Sequence, residues 1–416
     1  MMETGINTKD SIKIGERFSL KYYFDPKIML ILLAFLEKNI VRYFVLSISM
    51  IPILEYLSSY IVPFIYITLF LLYIRKYNPK VGFSEILIIL FVILSIIGTT
   101  IFYPQNTEFI FDSNNFWNTI FPIFRYFIIG LIIIADRNTM NLIGKASCLA
   151  ILVEVLFVFV YMIPKGLLVS DEMSRAYQIL PNVLFAINYA INEKRLSSWL
   201  FSLLGISFIF AMGTRGPVVI MLAFILIKYI KVKPVKTWIK VSLFISIVGA
   251  GLLFLNSSLY IDILSLLKTQ FQNFGLSTRV FDFAIDGSLI SNTTGRDELY
   301  QYGVNKILES PLFGYGVYGE WQWLGWNVHN MYLEILIHYG VIIGSIILIW
   351  LVRIISRAYY YTNDDNTRDF ILIWVSLVFF RGIFGGSYLQ FGMFLLIGFC
   401  IKEIRRLKSR YLNKYL

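Results

Sequence analysis

Long uninterrupted apolar runs are the feature that most constrains how this chain can fold. Of its 416 residues, 57% are hydrophobic, and the mean hydropathy is +0.70, whereas a soluble domain is about 45–50% apolar. Many of the runs reach the ~20 residues that an α-helix needs to cross a bilayer. The sequence therefore predicts an all-α, polytopic integral membrane protein that forms a single membrane domain over residues 1–416.

The apolar runs predict about twelve membrane-spanning helices. We place them near 40–57, 59–74, 83–102, 118–135, 141–163, 179–192, 196–213, 216–230, 238–256, 329–352, 369–384 and 386–401. Residues 1–24 are polar and basic and contain no short apolar core or cleavage site, and the apolar stretch "KIMLILLAFLEK" at 27–38 is too short to cross the bilayer. Residues 1–39 are therefore interpreted as a cytoplasmic tail instead of a signal peptide. The two cysteines lie in or beside apolar runs and suggest no disulfide framework.

The distribution of basic residues predicts the orientation, because cytoplasmic segments of membrane proteins are enriched in lysine and arginine. With the tail at 1–39 and the basic C-terminal tail at 402–416 both inside, most of the 37 basic residues are cytoplasmic. A large periplasmic or extracellular loop with helical segments then spans about 257–328. This bias explains the net charge of +11, and a nucleic-acid partner is not expected.

Arginines are prominent among the basic residues that are predicted to face outward. They are Arg125, Arg175, Arg215, Arg279, Arg296 and Arg381. Arginine binds phosphate oxygens through two parallel hydrogen bonds and stays charged when it is desolvated. Any one of them could contact lipid headgroups, but six on one side favour an anionic ligand. Arg125 and Glu154 lie within apolar spans, where a charge is costly, so each is expected to face a polar cavity or a partner.

The end of the outer loop contains the most specific motifs. The segment "GRDELYQYGVNKILES" has helical periodicity, "SPLFGYGVYG" breaks the helix with a proline and glycines, and "VHNMYLEILIHYG" enters an apolar run. This order resembles the O-antigen ligase and polymerase superfamily. The resemblance is densest over 292–344 and weaker at "GTRG" (213–216) and "SRAYQILPN" (174–182). The sequence of these motifs is most similar to that of O-antigen or capsular repeat-unit polymerases.

The resemblance implies a glycosyltransferase of the bacterial inner membrane with both termini in the cytoplasm. A polymerase transfers a glycan from polyprenyl pyrophosphate to a hydroxyl of the next lipid-linked repeat unit, on the outer face. A ligase of the same superfamily uses a lipid-A-core glycan as acceptor. The expected partners are polyprenyl-pyrophosphate-linked oligosaccharides, membrane lipid and a chain-length regulator protein. A transporter or flippase of lipid-linked saccharide is a third alternative, although the two halves show no clear duplication.

The departing pyrophosphate has to be neutralised. The acidic run "NDDN" at 363–366 falls on the predicted cytoplasmic side, so arginines are expected to neutralise it, and neither a metal nor a cofactor is predicted. Arg215 and Arg296 match the resemblance best and are assigned to catalysis. Arg175 matches it more loosely, and Arg279 is added for its charge and its position in the loop. With Arg125, these two are predicted to bind pyrophosphate or glycan.

The two histidines of the chain, His329 and His338, both lie in the last motif. On one helix they would be about 180° and ~13.5 Å apart, so they could not share a site. His329 fits the family motif and is predicted to be the general base that the acceptor hydroxyl needs; the alternative is an interfacial histidine at a helix start. His338 is expected to pack against neighbouring spans or to bond a polar partner.

The residues around His329 complete the predicted substrate-binding set. Asn330 is expected to cap the helix or to orient the histidine, and Tyr332 belongs to the same motif. Glu334 is expected to meet an arginine from another span. The set also includes Trp321, Trp323 and Trp326. These tryptophans form either an interfacial aromatic belt or a stacking floor for sugar rings.

Overall fold

The computed structural model describes residues 23–37, 52–111, 120–162, 172–212, 214–231, 258–273, 296–389 and 391–415, with a few isolated positions between 278 and 286. Within these ranges all regular structure is helical, as the sequence predicts. The helices are α1 (Pro26–Leu36), α2 (Pro52–Tyr77), α3 (Phe83–Phe102), α4 (Thr107–Phe111), α5 (Phe121–Ile132), α6 (Arg137–Phe157), α7 (Glu172–Glu193), α8 (Leu196–Ala211), α9 (Arg215–Lys231), α10 (Ser258–Asn273), α11 (Arg296–Glu309), α12 (Trp321–Leu324), α13 (Met331–Tyr361), α14 (Asp365–Val375), α15 (Arg381–Phe384) and α16 (Phe391–Tyr415). Short 3-10 or π turns lie at Pro104–Asn106, Val158–Met162 and Ser376–Phe380.

Three helices of the described part are long and apolar enough to cross a membrane. They are α3, α6 with its π turn (Arg137–Met162), and α13. Their length and composition indicate a helical membrane protein. The count of about twelve spans stays a prediction, because the predicted span at 238–256 and most of that at 40–57 lie outside the described residues.

Several predicted boundaries are wrong. α2 runs without interruption from Pro52 to Tyr77, so the break between the spans 40–57 and 59–74 is absent. α7 begins at Glu172 and continues through Pro181, so the predicted start of a span at 179 is wrong and the motif "SRAYQILPN" lies within this helix. Proline is tolerated in such helices because neighbouring groups satisfy the carbonyl that it leaves free. α16 extends to Tyr415, through most of the predicted C-terminal tail.

Two of the six arginines are neutralised inside the helix bundle. Arg125 of α5 pairs with Glu37 at 3.0 Å and lies 4.3 Å above the ring of Tyr66. Arg175 of α7 pairs with Glu154 of α6 at 3.1 Å, and their side chains are 4% and 0% exposed. A buried charge is stable only when it is paired, and these pairs supply the partners that the two apolar spans need.

The glycine motif "PLFGYG" packs into a break in α13. Gly340 has φ +73° and ψ 173°, which is non-helical backbone inside that helix. The break leaves backbone groups of α13 without partners inside the helix, and residues of the motif form hydrogen bonds with them. The amide of Tyr315 donates to the Ile337 carbonyl (2.8 Å), the amide of Gly316 donates to the His338 carbonyl (3.0 Å), and the amide of Val341 donates to the Pro311 carbonyl (2.7 Å). Because each buried backbone group finds a partner, the loop and the broken helix stabilise each other.

Side chains from the region of α3 hold the same loop from its other face. The amide nitrogen of Asn106 donates to the carbonyls of Tyr315 (2.9 Å) and Val317 (3.1 Å). The hydroxyl of Thr99 accepts from the amide of Val317 at 3.0 Å. The loop is therefore fixed between α3 and α13, and Glu320, at its end, is fully buried.

Gly314→Ala and Gly340→Ala should both lower the melting temperature of the purified protein. A Cβ atom at Gly314 would lie 2.3 Å from the Ile337 carbonyl oxygen, and one at Gly340 would lie 2.4 Å from the Leu312 carbonyl oxygen. Both positions also have positive φ, which costs an alanine about 1–2 kcal/mol before any clash. Thermal unfolding in detergent measures the effect.

Gly98→Ala is the matched control, because nothing lies within 4 Å of a Cβ at that position in α3. It should leave the melting temperature unchanged or raise it, since alanine favours a helix more than glycine does. Equal melting temperatures for all three variants would contradict the packing of the loop against the break.

Candidate active site

His329 lies in the turn before α13 and not in the helix. Asn330 is the N-cap of α13, and its side-chain oxygen accepts from the amides of Tyr332 (3.0 Å) and Leu333 (3.2 Å). His329 has φ +54°, a left-handed conformation that is uncommon for residues other than glycine. Its ring is partly exposed. The predicted cap is confirmed, and the 180° relation to His338 does not apply because the two histidines do not share a helix.

Helix α11 places Arg296 and Tyr300 one turn apart beside His329. The Tyr300 hydroxyl lies within hydrogen-bonding distance of the carbonyls of His329 (3.2 Å) and Ile383 (3.1 Å). An Nη atom of Arg296 would lie 3.9 Å from a Cβ placed on Gly385. The start of α11, the turn before α13 and the end of α15 therefore meet at one place.

The charge of Arg296 acts on His329. Partial burial, and then the nearby guanidinium of Arg296, lower the pKa of the His329 imidazole below its ordinary value of 6.5. A lowered pKa means that the neutral ring, which has a free lone pair, is the major form at pH 7. The imidazole is therefore in the protonation state of a general base.

The acid limb of the pH profile of kcat/KM should have its midpoint below 6.5, the ordinary pKa of His329. Activity should be constant above this limb and fall as the pH drops through it, because protonation removes the base. The residual activity of His329→Asn should lack this limb. A limb that persists in the variant belongs to another group, such as the pyrophosphate of the substrate, and a wild-type midpoint above 6.5 would contradict the shift.

Arg381 adds a second cation to this place. Its guanidinium lies 4.6 Å above the ring of Tyr177 in α7, and its Nε atom has no hydrogen-bond partner among the described residues. Arg296 is also within electrostatic range of Tyr177. Within the described ranges neither arginine forms an ion pair with a carboxylate. Both differ in this respect from Arg125 and Arg175, so their charge is available to an anion.

Two predicted arginines cannot be placed in the site. Arg215 is the first residue of α9, and α9 packs against α15, which begins at Arg381. The Arg215 side chain and the whole of Arg279 lie outside the described residues. Their assignments stay predictions.

Among the described residues Glu334 meets no arginine, which corrects that expectation for this part of the chain. Its carboxylate accepts from the hydroxyl of Ser387 (2.6 Å) and from the amide of Tyr388 (3.0 Å). The turn after α15 folds back over the first turn of α13 and brings these donors to it. Tyr332, in the same turn of α13, donates from its hydroxyl to the carbonyl of Phe379 at 3.1 Å, so it ties α13 to the π turn Ser376–Phe380 that follows α14.

Comparison with known proteins supports the family that the sequence motifs resemble. Residues 200–349 match the family model described as O-antigen ligase. This match supports the O-antigen ligase/polymerase superfamily that the sequence motifs resemble. No curated protein and no solved structure matches it. Members of this superfamily are glycosyltransferase-like enzymes that act on lipid-linked glycans. The matched segment includes Arg215, Arg296 and His329, whereas Arg381 lies beyond it.

The three tryptophans of the predicted substrate-binding set have different surroundings. Trp321 packs against Phe109 at 5.9 Å between ring centroids. Trp323 packs against Tyr315 at 4.5 Å. Trp326 is 56% exposed. Only Trp326 of the three therefore presents a large open surface to a sugar ring, while an interfacial belt remains an equal alternative for it.

His338 belongs to a separate buried cluster. Its Nε2 atom contacts a carboxylate oxygen of Glu320, and its Nδ1 atom lies 2.7 Å from the hydroxyl of Tyr388. The expectation of polar partners for His338 is therefore confirmed. Glu334 and His338 are four residues apart, so their shared helix face could be predicted from the sequence. Nothing in the sequence places Glu320 or Tyr388 beside them.

Proposed function

We propose that this protein belongs to the O-antigen ligase/polymerase superfamily and is an O-antigen or capsular polysaccharide polymerase of the bacterial inner membrane. It transfers a growing glycan from polyprenyl pyrophosphate to a hydroxyl of the next lipid-linked repeat unit on the outer face. The observation that supports this best is the arrangement of His329, whose pKa is lowered, beside Arg296 and near Arg381, two arginines without a carboxylate partner in the described part.

Each residue of this arrangement has a role in the proposed transfer. His329 takes the proton of the acceptor hydroxyl, and the oxygen attacks the anomeric carbon of the donor glycan. The bond between that carbon and the pyrophosphate oxygen breaks, and polyprenyl pyrophosphate leaves. Arg296 neutralises the negative charge that develops on it, together with Arg215 and Arg381. No metal ion and no cofactor takes part in this step.

The other predicted arginines have different roles in the proposed enzyme. The ion pairs of Arg125 with Glu37 and of Arg175 with Glu154 favour structural roles for these two arginines. Arg279 is kept as a candidate glycan or pyrophosphate contact because of its charge and its loop position. Trp326 is the tryptophan that we expect to stack on a sugar. Membrane lipid and a chain-length regulator protein are the other partners that a polymerase is expected to have.

A ligase of the same superfamily is the second candidate, and the description of the matching family model, O-antigen ligase, favours it. Both reactions expel the same lipid pyrophosphate, so both need the same base and the same arginines. They differ in the acceptor, which is a second lipid-linked glycan for a polymerase and a lipid-A-core glycan for a ligase.

Purified protein that receives only its native lipid-linked repeat unit distinguishes the two. A polymerase should produce a ladder of longer chains that are still attached to the lipid carrier, visible on a gel. A ligase should produce no ladder from this single substrate and should transfer the glycan once a lipid-A-core acceptor is added. The second result would replace the polymerase by the ligase, and His329→Asn is the negative control for either activity.

A further inference from the structure

Three buried side chains of types that bind metal ions meet between α13 and the loop at 310–320, which we call the glycine loop. They are Glu320, Glu334 and His338, whose ligand atoms all lie within 4.8 Å of one another and which are 0%, 2% and 1% exposed. Glu334 and His338 lie on one face of α13, since residues four apart are neighbours on a helix. Glu320 comes from the end of the loop. The proposed transfer step uses His329 and arginines and none of these three residues, although Glu334 belongs to the substrate-binding set that the sequence predicts.

His338, which faces Glu320, is the only basic side chain that contacts the two carboxylates of this cluster among the described residues. Within the described ranges no lysine or arginine forms an ion pair with Glu320 or Glu334. One carboxylate oxygen of Glu320, Oε1, is buried without any hydrogen-bond partner there. Buried charges are paired or bind metal ions. When both carboxylates are ionised and the imidazole is neutral, the cluster has two negative charges, which a divalent cation would neutralise.

The hydrogen bonds around the cluster resemble those that orient metal ligands. His338 has its Nδ1 atom 2.7 Å from the Tyr388 hydroxyl, and its Nε2 atom faces Glu320. A metal-binding histidine commonly donates its other ring N–H to an oxygen, which fixes the tautomer and the ring orientation. Glu334 is held in the same way, by the Ser387 hydroxyl at 2.6 Å and the Tyr388 amide at 3.0 Å.

We infer that Glu320, Glu334 and His338 bind one divalent transition-metal ion, for which Zn²⁺ is the best candidate. One imidazole nitrogen and two carboxylates are ligands that Zn²⁺ accepts, and Mn²⁺ is the next choice for an oxygen-rich site. The ion is structural. It joins the end of the glycine loop to α13, and the hydrogen bonds of Glu334 extend the link to the turn at 385–389, which borders Arg296. Because the ligands are almost fully buried, the ion does not contact the pyrophosphate.

Metal analysis of purified, tag-free protein tests this inference without any substrate. Inductively coupled plasma mass spectrometry should find a single zinc or manganese ion per chain in the wild type. Glu320→Gln and His338→Ala should lose the ion. Glu309→Gln should retain it, because Glu309 is an exposed glutamate of α11 that pairs with Lys306. Arg296→Gln should also retain it, and this separates the metal site from the proposed transfer site.

A second measurement does not depend on the folding of any variant. Adding Zn²⁺ to wild-type protein that has been stripped with a chelator should raise its melting temperature, because an ion that binds only the folded state stabilises it. The inference is wrong if the wild type contains no stoichiometric metal and neither Zn²⁺ nor Mn²⁺ changes the melting temperature. The cluster is then a hydrogen-bonded ion pair beside a protonated glutamate. Equal metal content in Glu320→Gln and the wild type would also overturn it.

Discussion

His329→Asn should lower the turnover of purified protein by about 10²–10⁴, the usual effect of losing a general base. The acceptor hydroxyl then has no neutral imidazole to take its proton, although the arginines that bind the pyrophosphate remain. Asparagine is the best replacement because it tolerates the left-handed backbone at this position, where φ is +54°. Single-turnover rates with lipid-linked repeat units measure the chemical step.

The melting temperature of His329→Asn is the control. It should stay close to that of the wild type, because the hydrogen bonds of His329 to described residues are made by its backbone amide and carbonyl. His329→Ala should show the same loss of turnover with a somewhat lower melting temperature, since alanine is strained at positive φ. A wild-type rate in stable His329→Asn would remove the histidine from the mechanism and leave catalysis to the arginines or to the substrate.

The helical class and the position of one loop helix could be predicted from the sequence. Apolar runs and the periodicity of "GRDELYQYGVNKILES" are local signals, and α11 does begin at Arg296 and end at Glu309. The effect of Pro181 could not be predicted, because it depends on the groups that surround it in the folded chain. The break at Gly340 also escaped prediction, since the loop that compensates it lies some twenty residues earlier in the sequence.

The sorting of the arginines depends on contacts between distant segments. Charge and predicted side of the membrane alone do not distinguish Arg125, Arg175, Arg296 and Arg381, and the resemblance singles out only Arg296 of these four for catalysis. The structure divides them by their partners, because α1 and α6 bring carboxylates to the first two, whereas the described residues bring none to the others. The assignment of Arg381 to the site was missed because its motif, "FFRGIFGG", has no feature that distinguishes it from a turn at the interface.

Arg296→Gln should lower turnover by about 10²–10³, the usual loss on removing a group that stabilises developing charge. Glutamine keeps much of the length but loses the positive charge, so the departing pyrophosphate is less well neutralised. Arg296→Lys should also be impaired, although less, because lysine keeps the charge and loses the planar pair of donors. The rate of the wild type should not depend on added Mg²⁺ or Mn²⁺, since the arginines take the place of an exchangeable metal.

Arg137→Lys is the matched control for the lysine variant, because Arg137 is an arginine with a side chain that is 76% exposed and is paired with Glu193. It should leave turnover unchanged. Arg296→Gln should also keep the wild-type melting temperature, since Arg296 forms no ion pair with a described carboxylate, and so a loss of turnover reports on chemistry instead of folding. Wild-type turnover in Arg296→Gln, or its recovery on adding Mg²⁺, would show that another cation neutralises the pyrophosphate.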